Sequence, residues 1–238
     1  MSTYVLVHGA YQGGWIWRPI SDRLERAGHA VYRPTLDGCG ERSGAVRTGI
    51  TTETHGAELA KLLFYEDLSD VILVGTSSGG MVACSAAEQA RDRIARVVFV
   101  DALALLDGEK VPDIVGPPSG STTDHATGPT RHDAETRLFT DLEPGLREWT
   151  LDRMTLHPVA ALQQPVSLDH FWDQRWPANV IYCTQSQNPP EPHQRRTAER
   201  LGATWDEIDT GHYPMLSAPD ELASLLLGDS ILGAGAGG

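Results

Sequence analysis

Residues 71–80 read Val-Ile-Leu-Val-Gly-Thr-Ser-Ser-Gly-Gly. The first four residues are apolar, which predicts a buried strand, and a helical pattern begins directly after them, near Gly79. Between strand and helix lies G-x-S-x-G, centred on Ser77, in the strand–turn–helix context that this motif requires. Glycines on both sides of the serine allow strand and helix to approach without Cβ clashes. The pattern predicts a nucleophilic serine on a sharp turn, and the alternative is an ordinary glycine-rich turn.

A second glycine-rich turn follows the first apolar strand of the chain, at His8-Gly9-Ala10-Tyr11. Backbone N–H groups in such a turn lack ladder partners and can point at an anion. Acyl transfer requires donors of this kind, because negative charge develops on the former carbonyl oxygen. We therefore expect the amides of Ala10 and Ser78 to form an oxyanion hole, with Ser78 at the positive end of the following helix.

A histidine near the C-terminus is the candidate general base. Residues 209–212 read Asp-Thr-Gly-His, after a predicted strand over 204–208 and before a helix whose predicted N-cap is Ser217. A side chain that titrates near neutral pH and has two ring nitrogens suits a base. We choose His212 because the histidine follows the serine in the fold built around this turn. The remaining histidines, which we interpret as surface or structurally satisfied residues, are His8, His29, His55, His125, His132, His157, His170 and His193.

These features together resemble the α/β-hydrolase superfamily, and within it the small bacterial esterases related to plant hydroxynitrile lyases and methyl-ester esterases. The matching segments are VLVHGA at 5–10, GGW at 13–15, GHAVYRPTL at 28–36, GCGERS at 38–43, DVILVGTSSGGM at 70–81, VFVDA at 98–102, HP at 157–158 and GH at 211–212. They follow the family's order over nearly the whole chain. The resemblance implies an α/β fold with a mostly parallel central sheet flanked by helices and a helical cap insertion.

The acid of a catalytic triad is where the chain departs from that resemblance. Plant members carry an aspartate a few residues after the strand that matches 179–184, and Ser186 stands there in this chain. A neutral serine cannot stabilise an imidazolium as a carboxylate does. We expect Asp101 to be the acid, since it ends the strand over 96–100 and similar enzymes, such as haloalkane dehalogenases, carry an acid there. Glu191 is the second candidate, and a turn-capping role is the alternative for Asp101.

Alternating strand and helix patterns predict a mostly parallel sheet. Strands are predicted over 3–8, 29–34, 70–75, 96–101, 179–184 and 204–208, with helices near 17–28, 51–65, 79–92, 191–201 and 218–227. The alternation stops between 103 and 173, where helical patterns occur near 133–142, 144–153 and 158–162. We expect a hydrolase core over 1–102 and 174–230, a cap insertion over 103–173 and a flexible tail over 231–238.

The cap is expected to cover the serine and to form a pocket for a small, apolar or aromatic acyl or alcohol group. The candidate lining residues are Tyr11, Trp15, Phe139, Trp149, Met154, Leu156, Leu162, Phe171 and Trp172. Many large side chains of a cap serve only as its own core.

Composition limits the partners. The net charge is −13 with scattered acidic residues, which argues against nucleic acid and anionic membranes. No leader pattern or bilayer-spanning apolar run is apparent, and three cysteines fit neither a disulfide framework nor a zinc site. We expect a cytoplasmic enzyme that acts on a small molecule without metal or cofactor, and a homodimer formed through the cap is compatible with the sequence.

The residues predict a serine hydrolase that cleaves a small ester, carbamate or amide through an acyl-enzyme on Ser77. Three alternatives remain open: a carbon–carbon lyase, a non-hydrolytic enzyme such as a cyclase, and a ligand-binding protein without turnover. The resemblance argues against the lyase, because hydroxynitrile lyases carry a lysine directly after the base histidine and this chain has Tyr213. The missing acid at Ser186 favours the cyclase somewhat, and intact Ser77 and His212 argue against a mere binder.

Overall fold

The computed structural model describes residues 1–116 and 120–228. The expected flexible tail over 231–238 lies outside the described residues. In chain order the strands are β1 (Thr3–Val7), β2 (Ala30–Tyr32), β3 (Val71–Ser77), β4 (Ile94–Ala102), β5 (Ser121–Thr122), β6 (Ala126–Gly128), β7 (His157–Pro158), β8 (Ala178–Cys183) and β9 (Thr204–Ile208).

The α-helices alternate with the strands of the main sheet outside the insertion. They are α1 (Arg18–Arg26), α2 (Thr52–Tyr65), α3 (Gly79–Gln89), α4 (Val111–Val115), α5 (Arg131–Asp133), α6 (Pro144–Leu151), α7 (Val159–Gln163), α8 (Glu191–Leu201), α9 (Pro214–Ser217) and α10 (Pro219–Leu227). Short 3-10 segments occur at Gly14–Trp17, Gly40–Ala45, Arg91–Arg93 and Phe171–Asp173, with a π-helical turn at Ala134–Leu138. Among residues 1–116 and 120–228, no helix has the length and apolar character needed to span a bilayer.

The main sheet has six strands in the order β2-β1-β3-β4-β8-β9, and every neighbouring pair is parallel. Successive residues of the central strand point to opposite faces: Leu73 belongs to one buried apolar cluster and Val74 to the other. Helices cover both faces, which explains why the strand segments read as continuous apolar runs. The prediction of a mostly parallel sheet flanked by helices is confirmed.

The insertion between β4 and β8 differs from the predicted helical cap. Besides α4–α7 it contains a three-stranded antiparallel sheet in the order β5-β6-β7. Thr127 pairs with both Thr122 and His157 in this sheet. The pairing with β7 joins segments about thirty residues apart, and a local sequence pattern cannot reveal such a contact. Its distal part also packs on the main core, since Leu168 and Phe171 belong to a cluster that covers one face of the large sheet.

The predicted N-cap of the last helix is also wrong. Ser217 ends α9, and Ala218 is the N-cap of α10 with Pro219 in the first helical turn. Proline is favoured at that position because its missing N–H would have no helical partner.

The glycines around Ser77 lie where the backbones of β1, β3 and α3 come together. A Cβ on Gly79 would stand 2.5 Å from the carbonyl oxygen of His8 and 2.6 Å from that of Val7. A Cβ on Gly75 would stand 2.7 Å from the carbonyl oxygen of Gly79. Real Cβ atoms do not approach backbone oxygens this closely, so the packing of this turn requires glycine at both positions.

Buried histidines lie where the insertion meets the core. His157 of β7 places Nδ1 3.4 Å from the Cys39 thiol, and its ring is 6.0 Å from that of His55 on α2. Burial lowers the pKa of His8 to about 4 and also lowers the pKa values of His55 and His157, and proximity to His55 lowers the pKa values of His8 and His157 further. These rings therefore stay neutral in the folded protein at neutral pH.

We predict that Gly79→Ala destabilises the fold by about 2 kcal/mol or more, because the new methyl group must displace backbone atoms of β1. Gly44→Ala is the matched control, since a Cβ there meets no atom within 4 Å. Urea unfolding followed by circular dichroism measures both variants. Equal stability of Gly79→Ala and wild type would contradict the close packing.

We also predict that the free energy of unfolding falls as the pH drops from about 6.5 towards 4. The unfolded chain then binds protons that the folded chain excludes, and lowering the pKa of His8 from 6.5 to about 4 corresponds to ~3 kcal/mol for this residue. The contribution of His8 to the free energy of unfolding is fully present above pH 6.5 and is lost as the pH falls towards 4. Urea titrations at a series of pH values test this, and His157→Gln should flatten the dependence. Constant stability between pH 7 and 5 is the contrary result.

Candidate active site

Ser77 occupies the sharp turn that its sequence motif predicts. Its φ of 52° lies in the left-handed region, which a non-glycine residue enters only when its surroundings enforce it. The N–H of Leu103 donates to its carbonyl oxygen at 2.9 Å and so ties the turn to the segment after β4. A Cβ on Gly9 would be 2.6 Å from the Ser77 Cβ, so the serine side chain lies directly against the glycine-rich turn that follows β1.

His212 and Asp101 are joined by a short hydrogen bond, with 2.5 Å between Nδ1 and Oδ2. Asp101 is completely buried at the end of β4, also with a positive φ of 43°. The pairing of Ser77 with Ala102 brings this end of β4 beside the serine turn. The second acid candidate lies elsewhere: Glu191 is exposed and pairs with Arg195 at 3.0 Å. Of the two carboxylates, only Asp101 contacts the His212 ring.

Ser77 and His212 line the same cavity, whose volume is about 480 Å³. No direct hydrogen bond joins these two described side chains. Because Nδ1 of His212 is engaged by Asp101, Nε2 is the ring nitrogen left for the serine hydroxyl. Serine–histidine contacts are often loose without a substrate and tighten when one binds. The Ser77 hydroxyl and the His212 ring thus share one cavity, and the buried Asp101 carboxylate holds that ring. Their catalytic roles stay predictions.

The two expected oxyanion donors also border this cavity. Ala10 and Ser78 are both lining residues, and Ser78 precedes the first residue of α3. Within the described part of the chain, neither backbone N–H donates a hydrogen bond to another protein group. Unpaired donors beside a candidate nucleophile are what stabilisation of an oxyanion requires.

His8 has a role that the sequence analysis missed. Its Nε2 accepts from the N–H of Leu36 at 3.0 Å, so the ring proton is on Nδ1, which donates to the Gly9 carbonyl oxygen at 2.8 Å. In a trans peptide the C=O and the following N–H point in opposite directions. By holding the Gly9 carbonyl, His8 orients the N–H of Ala10 away from itself. Its position directly before the Gly-Ala turn is the signal that could have indicated this.

The cavity walls differ from the aromatic pocket that the sequence analysis expects. Of the candidates, Tyr11 and Leu162 line the cavity. The others pack in or against the two apolar clusters of the core: Phe171 and Trp172 on one side of the sheet, and Trp15, Phe139, Trp149 and Met154 on the other. Leu156 is exposed. Large aromatic side chains remove much apolar surface from water when they are buried, which explains why these residues pack in the core clusters and not along the cavity.

Polar and apolar groups share the cavity wall instead. The apolar part includes Leu103, Val111, Pro112, Val115, Pro129, Leu138, Leu162 and Pro189, and the polar part includes Asp133, Thr136, Arg137, Thr140, Asp141, Gln163, Gln185, Ser186, Gln187 and Asn188. Ser186, where the resemblance to plant members implied an acid, borders the cavity, and its hydroxyl donates to the carbonyl oxygen of Asn188. Among residues 1–116 and 120–228, no three His, Cys, Asp or Glu side chains converge as metal ligands.

Comparison with known proteins gives consistent matches. The carbendazim hydrolyzing esterase of Nocardioides sp. (strain SG-4G) is 40% identical over 111 residues, which cover 47% of this chain and 46% of that protein. The match thus spans about half of that relative. Salicylic acid-binding protein 2 of Nicotiana tabacum is 30% identical over 260 residues, with 94% of this chain and 95% of that protein covered.

A solved structure and a family model agree with the sequence matches. An extracellular α/β-hydrolase from a Paenibacillus species has a TM-score of 0.84 at 23% identity, with 96% of this chain and 98% of that chain covered, and it supports the fold. The model of the Alpha/beta hydrolase family matches residues 4–225. The resemblance inferred from the motifs is confirmed: the chain belongs to the alpha/beta hydrolase family.

Proposed function

We propose that this chain is a carboxylic-ester hydrolase that acts through an acyl-enzyme on Ser77. The observation that carries the proposal is the 2.5 Å hydrogen bond between His212 and the buried Asp101, at a cavity that Ser77 also lines. A histidine ordered by a carboxylate and facing a shared cavity with a strained serine is the arrangement of nucleophilic catalysis. The esterase named among its relatives supports the same reaction class.

Acylation uses each group in turn. Nε2 of His212 takes the proton of the Ser77 hydroxyl, and the resulting alkoxide attacks the substrate carbonyl carbon. The amides of Ala10 and Ser78 stabilise the oxyanion, a contribution on the order of 3 kcal/mol per donor. When the tetrahedral intermediate collapses, the leaving alcohol receives the proton from His212.

Deacylation reverses this path with water as the nucleophile. His212 accepts a proton from water, the hydroxide attacks the acyl carbon, and the acid product leaves as Ser77 regains its proton. In both steps Asp101 keeps the proton of neutral His212 on Nδ1 and offsets the positive charge of the imidazolium. No metal or cofactor takes part in this proposal.

The cavity suggests a small substrate with hydrogen-bonding groups. A volume of about 480 Å³ admits a compact molecule, and the wall mixes aliphatic side chains with amides, hydroxyls and charges of both signs. A long alkyl chain would displace water from these polar groups without offering them hydrogen bonds. We therefore include small esters and aryl carbamates in the proposed substrate class. The cytoplasmic location and the homodimer stay predictions.

A binding protein without turnover is the second candidate, because a relative that aligns over 94% of this chain is named for binding salicylic acid. A fluorophosphonate probe separates the two functions, since it modifies only an activated serine. Labelling that is lost in Ser77→Ala supports the hydrolase, and resistance to labelling favours the binder.

We predict that Ser77→Ala reduces the hydrolysis of p-nitrophenyl esters and aryl carbamates by about 1000-fold or more, because the nucleophile is removed. The variant keeps its fold, as circular dichroism and urea unfolding should show. Esters of increasing chain length, assayed beside the carbamates, identify the preferred class. Wild-type activity in this variant would refute the nucleophile.

The identity of the acid is tested by two isosteric amides. We predict that Asp101→Asn lowers kcat by roughly 1000-fold or more, because the amide favours the wrong tautomer of His212. Glu191→Gln should stay within about twofold of wild type, since it removes only an exposed ion pair. The opposite pattern would reassign the acid to Glu191.

A further inference from the structure

The buried carboxylate of Asp101 has two hydrogen-bond donors, one for each oxygen. Oδ2 accepts from Nδ1 of His212 at 2.5 Å, and Oδ1 accepts from Nε2 of Gln194 at 2.6 Å. No third donor to this carboxylate occurs in residues 1–116 and 120–228. Burying a carboxylate away from water is costly unless hydrogen bonds replace its hydration. Gln194 donates one of the two hydrogen bonds that do so.

Both amide hydrogens of Gln194 are in use. Nε2 also donates to the carbonyl oxygen of Pro189 at 3.0 Å, while Oε1 is buried without a hydrogen-bond partner. Turning the amide over would bring its oxygen against a carboxylate and a carbonyl, which fixes the orientation. An amide whose only task was packing would satisfy its oxygen. Here an unpaired buried acceptor is tolerated so that both donors point at Asp101 and Pro189.

The second contact connects the acid to the cavity. Pro189 lines the cavity, next to Asn188 and the loop that follows β8. Gln194 itself is 1% exposed on the first half of α8, so helix packing holds it in place. One rigid side chain thus links the end of β4, where Asp101 stands, to the cavity wall contributed by the β8 loop.

We propose that Gln194 is the positioning residue for the acid: its amide holds the Asp101 carboxylate in place and aligned with His212. This inference rests on the proposed function, because alignment matters only if His212 acts as a base. Gln194 does not touch substrate and acts through Asp101. The other titratable groups near Asp101 are Tyr182, Cys183 and Tyr213, whose pKa values are raised by burial and, to a smaller extent, by its charge, so they remain neutral around pH 7.

Two substitutions separate the donor from the packing. Gln194→Met keeps the length of the side chain and removes the donor. Gln194→Glu keeps the shape and supplies a donor only while its carboxyl is protonated, because two adjacent carboxylates share a proton. Thr197→Val, one turn further along α8, is the matched control: it removes a buried hydroxyl bonded only to the His193 carbonyl of the same helix.

The readouts are kcat and KM from pH 6 to 9, and the second-order rate of labelling by a fluorophosphonate probe. Gln194→Met should lose about tenfold in kcat and in labelling rate, with KM within twofold, because the base is misaligned while the cavity is kept. The activity of Gln194→Glu relative to wild type should fall as the pH rises, since ionisation of the new carboxyl replaces a donor by a repelling charge. Thr197→Val should match wild type throughout.

Each other outcome is decisive. Wild-type kcat, labelling and pH profile in both Gln194 variants overturn the inference, and so does an equal loss in Thr197→Val, which would assign the effect to helix packing. If Gln194→Met fails to fold, the pH dependence of Gln194→Glu decides: a constant ratio to wild type refutes the donor role. If the wild-type chain itself is not labelled, the proposed function fails and this inference fails with it.

Discussion

The close approach of three backbone segments at Ser77 is the constraint on which the site depends. Gly79 lies against the carbonyl oxygens at the end of β1, and Gly9 lies against the Ser77 side chain, with no room for a Cβ at either position. This contact brings the amides of Ala10 and Ser78, which come from different segments, to the same cavity as the serine. Neither turn could form an oxyanion site alone, because each contributes a single suitable donor.

The order of strands explains how a carboxylate on β4 reaches the ring of His212. β4 and β8 are parallel neighbours, and the segment after β9 that carries His212 follows on the same edge. The carboxyl ends of both strands therefore face the ring, and either can present an acid. Asp101, near the end of β4, is more deeply buried than Ser186, and burial strengthens an ion pair only if the carboxylate has further donors. Gln194 supplies the second donor to the Asp101 carboxylate, beside that of His212.

The sequence predicted what is local and missed what depends on distant contacts. Short segments of sequence show the strand and helix patterns and the Ser77 turn, so the sheet and its flanking helices could be predicted. The order of Ser77 and His212 along the chain then indicated the histidine. The contacts of His8 and Gln194 are different, because a lone histidine or glutamine has no pattern that reveals its partner. The β5-β6-β7 sheet and the burial of aromatic residues were likewise inaccessible, since they depend on how the insertion folds back onto the core.

The folding of the insertion onto the core separates its aromatic packing from the cavity wall. Phe171 stacks on Trp176 in the cluster on one face of the sheet, while Phe139 contacts Tyr213 in the cluster on the other. These aromatic side chains thus fasten the insertion to both faces, and residues outside the two clusters form most of the cavity wall. Polar residues of the cavity wall can therefore be substituted without loss of this aromatic packing. Thr136 and Gln187 are examples, since both border the cavity and lie outside the two apolar clusters.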